Sequence, residues 1–243
     1  MNWRNVATIA TKDLGILVAR RSVRLSLILL PLGVAIGLPQ VARFAGNGGI
    51  PAALLPRFLT AFLFFFAVTA TILPVAIASY SLVGEKIERS LEPLLATPAA
   101  DGEILLGKGL AAFVPPIAAI WIGGVVFMAL SDQETRARLG HPYFPNGTAI
   151  LILAVIVPLM AILSVEYSVL VSARASDVRA AQQAATLVVL PSMALYVLAE
   201  VGAITLNMAT LGVVAGVLAV IDAALAIASR ATFRREDILT RWA

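Results

Sequence analysis

The chain has 243 residues, of which 60% are hydrophobic and only 13% are charged. A mean hydropathy of +0.94, together with several long apolar runs, is typical of a protein whose helices span a membrane and excludes a soluble globular class. Cysteine is absent and histidine occurs once, so the sequence offers no disulfide framework, no thiolate chemistry and no cysteine-based metal site.

The first segment, residues 1–21, is too polar to span a membrane. Its apolar side chains recur at helical spacing and are Trp3, Val6, Ile9, Ala10, Leu14, Leu17 and Val18. The opposite face holds Arg4, Asn5, Thr8, Thr11 and Lys12. This pattern predicts an amphipathic helix in the inner membrane interface, either a simple anchor or a lever that couples a cytoplasmic partner to the first span. A cleaved signal peptide is disfavoured because the first apolar run begins late and no small-x-small site follows it.

Six long apolar runs then predict six membrane-spanning helices, at 22–42, 58–83, 104–130, 149–172, 180–200 and 207–229. We therefore predict an all-α polytopic membrane protein with a single transmembrane domain over residues 1–243. Residues 22–229 form its bundle and 230–243 a cytoplasmic tail. Only Glu200 and the region of Asn207 separate the last two runs, so a re-entrant hairpin remains an alternative there.

Lysine and arginine are distributed unequally among the predicted loops. With a cytoplasmic N-terminus, the inside segments hold fourteen of the eighteen basic residues, and the outside segments hold Arg43, Arg57, Arg136 and Arg138. This positive-inside bias predicts a plasma-membrane protein with both termini in the cytoplasm. Anionic lipid of the inner leaflet then accounts for the net charge of +4, and nucleic acid is not expected as a partner.

The densest run of charge between two apolar runs is EKIERSLEPLLATP, from Glu85 to Pro98. One helical stripe of this run is apolar and consists of Ile87, Leu91, Leu94 and Leu95, while Glu85, Glu88 and Glu92 line a separate face. Pro93 interrupts the pattern, and Thr97-Pro98 ends it. The pattern predicts a short amphipathic cytoplasmic helix that contacts a partner protein; the alternative is a solvated loop whose leucines rest on the bilayer.

The stretch from Gly84 to Lys108, GEKIERSLEPLLATPAADGEILLGK, resembles the segment between spans two and three in the membrane subunits of type 2 ABC exporters, the ABC-2 permeases. That family carries E-K/R-x-x-x-(S/T)-L-E-x-L-L-x-(S/T)-P, a polar link, and then an apolar dipeptide with Gly-Lys at the third span. Ser90 departs from the pattern, because many relatives have a Gly-Thr pair there. Lys12-Asp13-Leu14 and Arg20-Arg21 are similar to the family's interfacial connecting helix.

The resemblance implies a permease subunit that forms the translocation path and couples to a separate ATPase. It assigns the ATPase contact to Glu85, Lys86, Glu88, Arg89, Leu91, Glu92, Leu94, Leu95, Thr97 and Pro98, with the leucines as anchors and the charged residues setting register. The implied assembly has two permease subunits, identical or homologous, and two ABC ATP-binding subunits. The sequence lacks a G-x-x-x-x-G-K-[ST] loop, so ATP and Mg²⁺ are expected on the partner, and no catalytic residue, cofactor or metal site on this chain.

Two carboxylates lie inside predicted spans. Glu166 precedes Arg174 by eight residues and Asp222 precedes Arg230 by eight, which places each about 12 Å from the cytoplasmic edge at 1.5 Å per residue. A carboxylate at that depth is costly unless it is protonated, paired or beside a wet cavity. The two are therefore candidates for contact with an ion, a proton or a cationic substrate; a polar packing contact between helices is the alternative.

Two smaller patterns concern packing. Gly33-x-x-x-Gly37 and Gly212-x-x-x-Gly216 are spaced for close helix approach, and the first pair suggests that span one contributes to a dimer. The aromatic cluster Phe62, Phe64, Phe65 and Phe66 is expected to pack at the lipid or the interface rather than to form a drug pocket.

Two other classes of function stay open. A carrier that does not use ATP, or a membrane assembly scaffold, is the main alternative to the exporter, and no internal inverted repeat is evident to favour the carrier. A membrane-embedded enzyme would need catalytic groups that converge within the bundle, and few such groups are present. The sequence does not select the transported substrate.

Overall fold

The computed structural model describes residues 2–46, 51–87, 99–175 and 177–232. Over these ranges the protein is helical and contains no strand. The helices are α1 (Trp3–Ala19), α2 (Arg21–Gly46), α3 (Leu55–Ile87), α4 (Asp101–Leu139), α5 (Gly147–Leu151), α6 (Val157–Arg174), α7 (Val178–Thr186), α8 (Val189–Glu200) and α9 (Met208–Thr232). A 3₁₀ turn (Ala52–Leu54) precedes α3, and a π-helical segment (Ile152–Ile156) joins α5 to α6.

Six helical segments of the described chain are long and apolar enough to cross a membrane: Arg21–Phe44, Ala52–Ala78, Asp101–Leu139, Gly147–Ser172, Arg179–Glu200 and Met208–Ser229. Each overlaps one predicted span, so the all-helical class and the six membrane-length helices are confirmed. The protein has the architecture of a multi-pass membrane protein. Prolines lie within α2, α3 and α4, at Pro31, Pro39, Pro74, Pro115 and Pro116.

The bundle has two ends. At the α1 end, α2, α4 and α7 begin and α3, α6 and α9 end; at the far end, α3, α5 and α9 begin and α2, α4 and α8 end. Helix α4 extends well beyond its predicted span of 104–130, because the polar residues from Ser131 onward continue the helix. It ends at Gly140, whose φ of 79° lies in the left-handed region and whose N–H donates to the Arg136 carbonyl.

Helix α3 is the centre of the bundle and packs against α2, α4, α6, α7 and α8. The aromatic cluster on this helix is part of the core, since Phe62 is 4% exposed and Phe64 and Phe66 are fully buried. Phe66 stacks edge-on against Phe127 of α4, with 5.7 Å between ring centroids. The expectation that this cluster packs at the lipid or the interface is therefore wrong for these three residues.

Buried hydroxyl groups connect α3 to two neighbouring helices. Ser164 of α6 donates to the Thr71 carbonyl at 2.7 Å, and the Thr71 and Ser192 hydroxyls lie 3.0 Å apart. In lipid, helices have no hydrophobic driving force to associate, so their association depends on packing and on hydrogen bonds such as these. The three residues fix the relative positions of α3, α6 and α8.

Close helix approach occurs at a different glycine pair from those predicted. A Cβ added at Gly123 would lie 3.0 Å from Phe66 and from Pro31, and one added at Gly124 would lie 2.8 Å from Leu153. These glycines let α4 approach α2, α3 and the π segment. By contrast, Gly33, Gly37, Gly212 and Gly216 have no neighbouring atom within 4 Å of an added Cβ, so within the described chain they are not packing sites.

A proline lies just after the π segment and removes one of its hydrogen bonds. In a π-helix the N–H of residue i+5 bonds to the carbonyl of residue i, and the residue five positions after Leu153 is Pro158, which has no N–H. The indole Nε1 of Trp121 donates to the Leu153 carbonyl instead, at 2.8 Å. A side chain of α4 thus satisfies a carbonyl that the proline leaves unpaired.

The last two membrane-length segments are not packed as a tight hairpin. Helix α8 contacts α3, and α9 contacts α6. The link between them is held at the far end by Arg57 of α3, whose guanidinium donates to the Glu200 carbonyl at 3.3 Å. Gly202 in this link has a φ of 83°, and a Cβ there would overlap the Arg57 guanidinium.

Candidate functional site

A cavity of about 660 Å³ opens between α4, α6 and α9 at the α1 end of the bundle. We call it the α4–α6–α9 cleft. Most of its lining is aliphatic or aromatic, and its polar side chains are Glu103, Glu166 and Ser229. No lysine or arginine is among the described residues that line it.

Each of the three helices contributes one face to the cleft. The lining residues of α6 are Ile162, Val165, Glu166 and Val169, which recur at i, i+3, i+4 and i+7. Helix α9 contributes Ala226 and Ser229, and Asp222 lies one turn before Ala226 on the same face. Helix α4 lines the cleft with its first three turns, from Gly102 to Phe113.

The two intramembrane carboxylates singled out from the sequence lie on two helices that pack against each other, α6 and α9. Glu166 lines the cleft, and Asp222 of α9 is 7% exposed. Neither carboxylate oxygen of Asp222 has a hydrogen-bond partner within the described part of the chain. A buried carboxylate without a partner is costly, so a positive charge beside Asp222 would offset the cost of burying it.

A third carboxylate, Glu103, joins the cleft to the N-terminal helix. It accepts hydrogen bonds from the Asn2 backbone N–H, from Asn5 Nδ2 at 2.8 Å and from the Ala100 N–H at 3.2 Å. The bond to Ala100 closes the first turn of α4, where backbone N–H groups lack helical partners. Glu103 therefore fixes the start of α4 and the start of α1 to one another.

An ion pair strengthens the same contact one and a half turns further along α4. Lys108 Nζ lies 3.2 Å from Asp13 Oδ2, and the two side chains are 3% and 16% exposed. Between these polar links, Gly107 lets α1 come close, because an added Cβ would lie 2.8 Å from Ile9. Helix α1 is thus docked on α4 by polar and apolar contacts together.

This docking corrects the predicted faces of the N-terminal helix. Val6 and Ala10 of the apolar stripe are buried, but Trp3 and Val18 of the same stripe are 66% and 45% exposed. Asn5, placed on the opposite polar face, donates to Glu103 instead. The side of α1 that contacts the bundle is mixed in polarity. Hydrophobic periodicity alone therefore did not identify which residues of α1 make this contact.

The predicted ATPase contact is mostly outside the described residues. Glu85 and Lys86 lie in the last turn of α3, where the structure describes the backbone and not the side chains. Glu88, Arg89, Leu91, Glu92, Leu94, Leu95, Thr97 and Pro98 all fall outside the described ranges. The short cytoplasmic helix predicted for residues 85–98, and its contact with an ATPase, therefore remain predictions.

Sequence reasoning did not predict the polar contacts that dock α1. Asp13 is far from Glu103 and Lys108 along the chain, and the latter two sit at the edge of an apolar run, where charge is ordinary. Pairing across 95 residues leaves no periodic signal that a single sequence displays. Within the described residues, no group of three or more His, Cys, Asp or Glu side chains could hold a metal ion.

No protein-family model matches the chain, and no curated protein matches it either.

Proposed function

We propose that this chain is the membrane-spanning permease subunit of an ATP-binding cassette exporter. In this proposal it forms the translocation path, pairs with a second permease subunit and is driven by two copies of a separate ATPase. The α1 end of the bundle faces the cytoplasm, and α1 lies in the inner membrane interface. ATP and Mg²⁺ bind the ATPase, and residues 85–98 form the helix that contacts it.

The observation that carries the proposal is the docking of α1 on the first turns of α4. Glu103 and Lys108 make this contact, and they follow residues 85–98 directly in the chain. A force applied to residues 85–98 would therefore act on α4 and α1 together, because polar bonds hold these two helices to one another.

The cleft supports the proposal because the same turns of α4 form one of its walls. Glu103 both binds α1 and lines the cleft, together with residues of α6 and α9. A displacement of α4 would change the shape of the cleft. That is the mechanical requirement for a subunit that turns ATP-driven closure of a partner into transport.

The test is purification of the tagged full chain from its native host in mild detergent, followed by identification of bound subunits. We expect a polypeptide with a Walker A motif and an ABC signature in about equal amount. Leu91→Asp should abolish the association, because it places a carboxylate in the anchoring stripe, and Glu92→Arg should weaken it by reversing a contact charge.

Gln133→Arg is the matched control for Glu92→Arg. It also adds positive charge, but at an exposed position on the far end of α4. This variant should retain the ATPase, and all variants should elute as monodisperse protein. Wild-type chain that carries no ATPase would instead favour a carrier that does not use ATP, or an assembly scaffold.

A further inference from the structure

We propose that the α4–α6–α9 cleft binds a lipophilic organic cation, with the carboxylates of Glu166 and Asp222 as the counter-charge. This inference rests on the proposed transport function, since it names the chemical class of the cargo. It adds a substrate class to a pathway that the sequence leaves unspecified.

The size of the cleft fits a small organic molecule. Its volume of about 660 Å³ lies within the range of about 300–1,000 Å³ that is typical of sites for drug-sized ligands. A single inorganic ion would leave most of this volume unfilled. The described residues also lack the group of three or more acidic or histidine side chains that a bare metal ion requires.

The lining of the cleft favours an apolar body. Leu105, Leu110, Phe113, Val165 and Val169 surround it with aliphatic and aromatic surface. Such walls do not replace the hydrogen bonds that a sugar or a polar peptide makes with water, so polar cargo would lose free energy on entry. A compound with a large apolar surface gains free energy in proportion to the area that it buries.

The charge of the cleft favours a cation. Glu103 and Glu166 both line it, and no basic side chain is found among its described lining residues. Asp222 is 7% exposed, lies on α9, which packs against the helix that carries Glu166, and has neither oxygen hydrogen-bonded within the described chain. A bound cation would offset the repulsion between the two carboxylates, whereas an anion would increase it.

One hydroxyl group adds a polar contact at the mouth of the cleft. Ser229 lines the cleft about two turns beyond Asp222 on α9, and its Oγ has no hydrogen-bond partner among the described residues. It could accept a hydrogen bond from an N–H group of a protonated amine. Quaternary cations would bind without this contact.

The test is equilibrium binding of radiolabelled tetraphenylphosphonium to the full chain in lipid nanodiscs, with empty nanodiscs subtracted. Tetraphenylborate, an anion of nearly the same size and shape, is the matched ligand control. We expect saturable binding of the cation and no saturable binding of the anion. Equal binding of both ions, or saturable binding of neither, would overturn the proposal.

Substitutions in and outside the cleft test whether the cation binds there. Glu166→Gln and Asp222→Asn should each weaken tetraphenylphosphonium binding about tenfold, because each removes one charge beside the cation. Gly109→Leu should also weaken it by filling the cleft, and its first side-chain atom meets only Val165 at an ordinary 3.8 Å. Glu134→Gln, which removes a carboxylate at the far end of α4, should bind like the wild type.

A second result would also contradict the proposal: folded Glu166→Gln and Asp222→Asn variants that bind the cation as tightly as the wild type. Folding is checked by monodisperse elution and by the thermal midpoint. Because the binding assay uses the chain without an ATPase, its failure leaves the association of the ATPase untouched. The two proposals can therefore fail separately.

Discussion

Lys108 Nζ lies 3.2 Å from Asp13 Oδ2, and this contact joins α4 to the middle of α1 with the lysine almost fully buried. A buried ammonium group that loses a carboxylate partner loses part of the attraction that offsets its desolvation cost. Substitution of Asp13 is therefore expected to lower the stability of the bundle.

Asp13→Asn should lower the stability of the protein by about 2 kcal/mol, since the amide retains the shape of the side chain but not its charge. For a chain of this length the thermal midpoint should fall by about 4–8 °C. The measurement is thermal unfolding of the purified protein in detergent. Lys12→Gln, which removes an exposed charge from the neighbouring position, should leave the midpoint unchanged.

Gly202→Ala should destabilise the far end by about 2 kcal/mol. The position has a φ of 83°, which is strained for a residue with a Cβ, and the added methyl group would overlap the Arg57 guanidinium. Gly212→Ala is the control because it lies inside α9 with open space around it. It should be neutral or stabilising by about 0.5 kcal/mol, and a similar loss in both variants would contradict the assignment.

Trp121→Phe should cost about 1 kcal/mol, because it removes the donor to the Leu153 carbonyl and leaves that carbonyl unpaired. The loss should depend on the proline five residues later. In a Pro158→Ala background the restored N–H can supply the missing bond, so the tryptophan substitution should then have little effect on the thermal midpoint. Equal losses in both backgrounds would show that Trp121 acts through packing alone.

Asp222→Asn should raise the thermal midpoint of the protein in the absence of cargo. The carboxylate is buried and its oxygens have no hydrogen-bond partners in the described chain, so a neutral amide costs less to bury. The expected gain is about 1–3 kcal/mol. A destabilised but folded variant would indicate that the carboxylate has a structural role.

Hydropathy predicted the six membrane-length helices and their approximate positions, because the thickness of a membrane sets a minimum run of apolar residues. It did not predict where α4 ends, since the polar residues after Ser131 continue the helix beyond the apolar run. Helix ends outside the hydrocarbon depend on capping, and Gly140 supplies the cap here.

Packing within the bundle was harder to predict than the bundle itself. Lipid and protein interior are both apolar, so composition alone did not show that Phe64 and Phe66 face α3's neighbours rather than lipid. The predicted glycine pairs make no close contact within the described chain, and the predicted dimer contact of the first pair stays a prediction. The spacing of glycines shows where helices are able to approach closely, and the fold shows that they do so at Gly123 and Gly124.

The candidate site was predicted in part. Glu166 and Asp222 were singled out because carboxylates inside spans are costly, and the fold places them on two packed helices that both line the cleft. Glu103 was not predicted, because a glutamate in the first turn of a helix is common and its docking role needs α1 beside it.

The bond from Asn2 to Glu103 connects residues 101 positions apart, which has a consequence for biosynthesis. Helix α1 is synthesised before α4, so its docking surface is made only after two membrane segments and the start of a third have followed it. A nascent or truncated product that ends before Glu103 lacks both polar partners of α1, so α1 is expected to stay undocked in it.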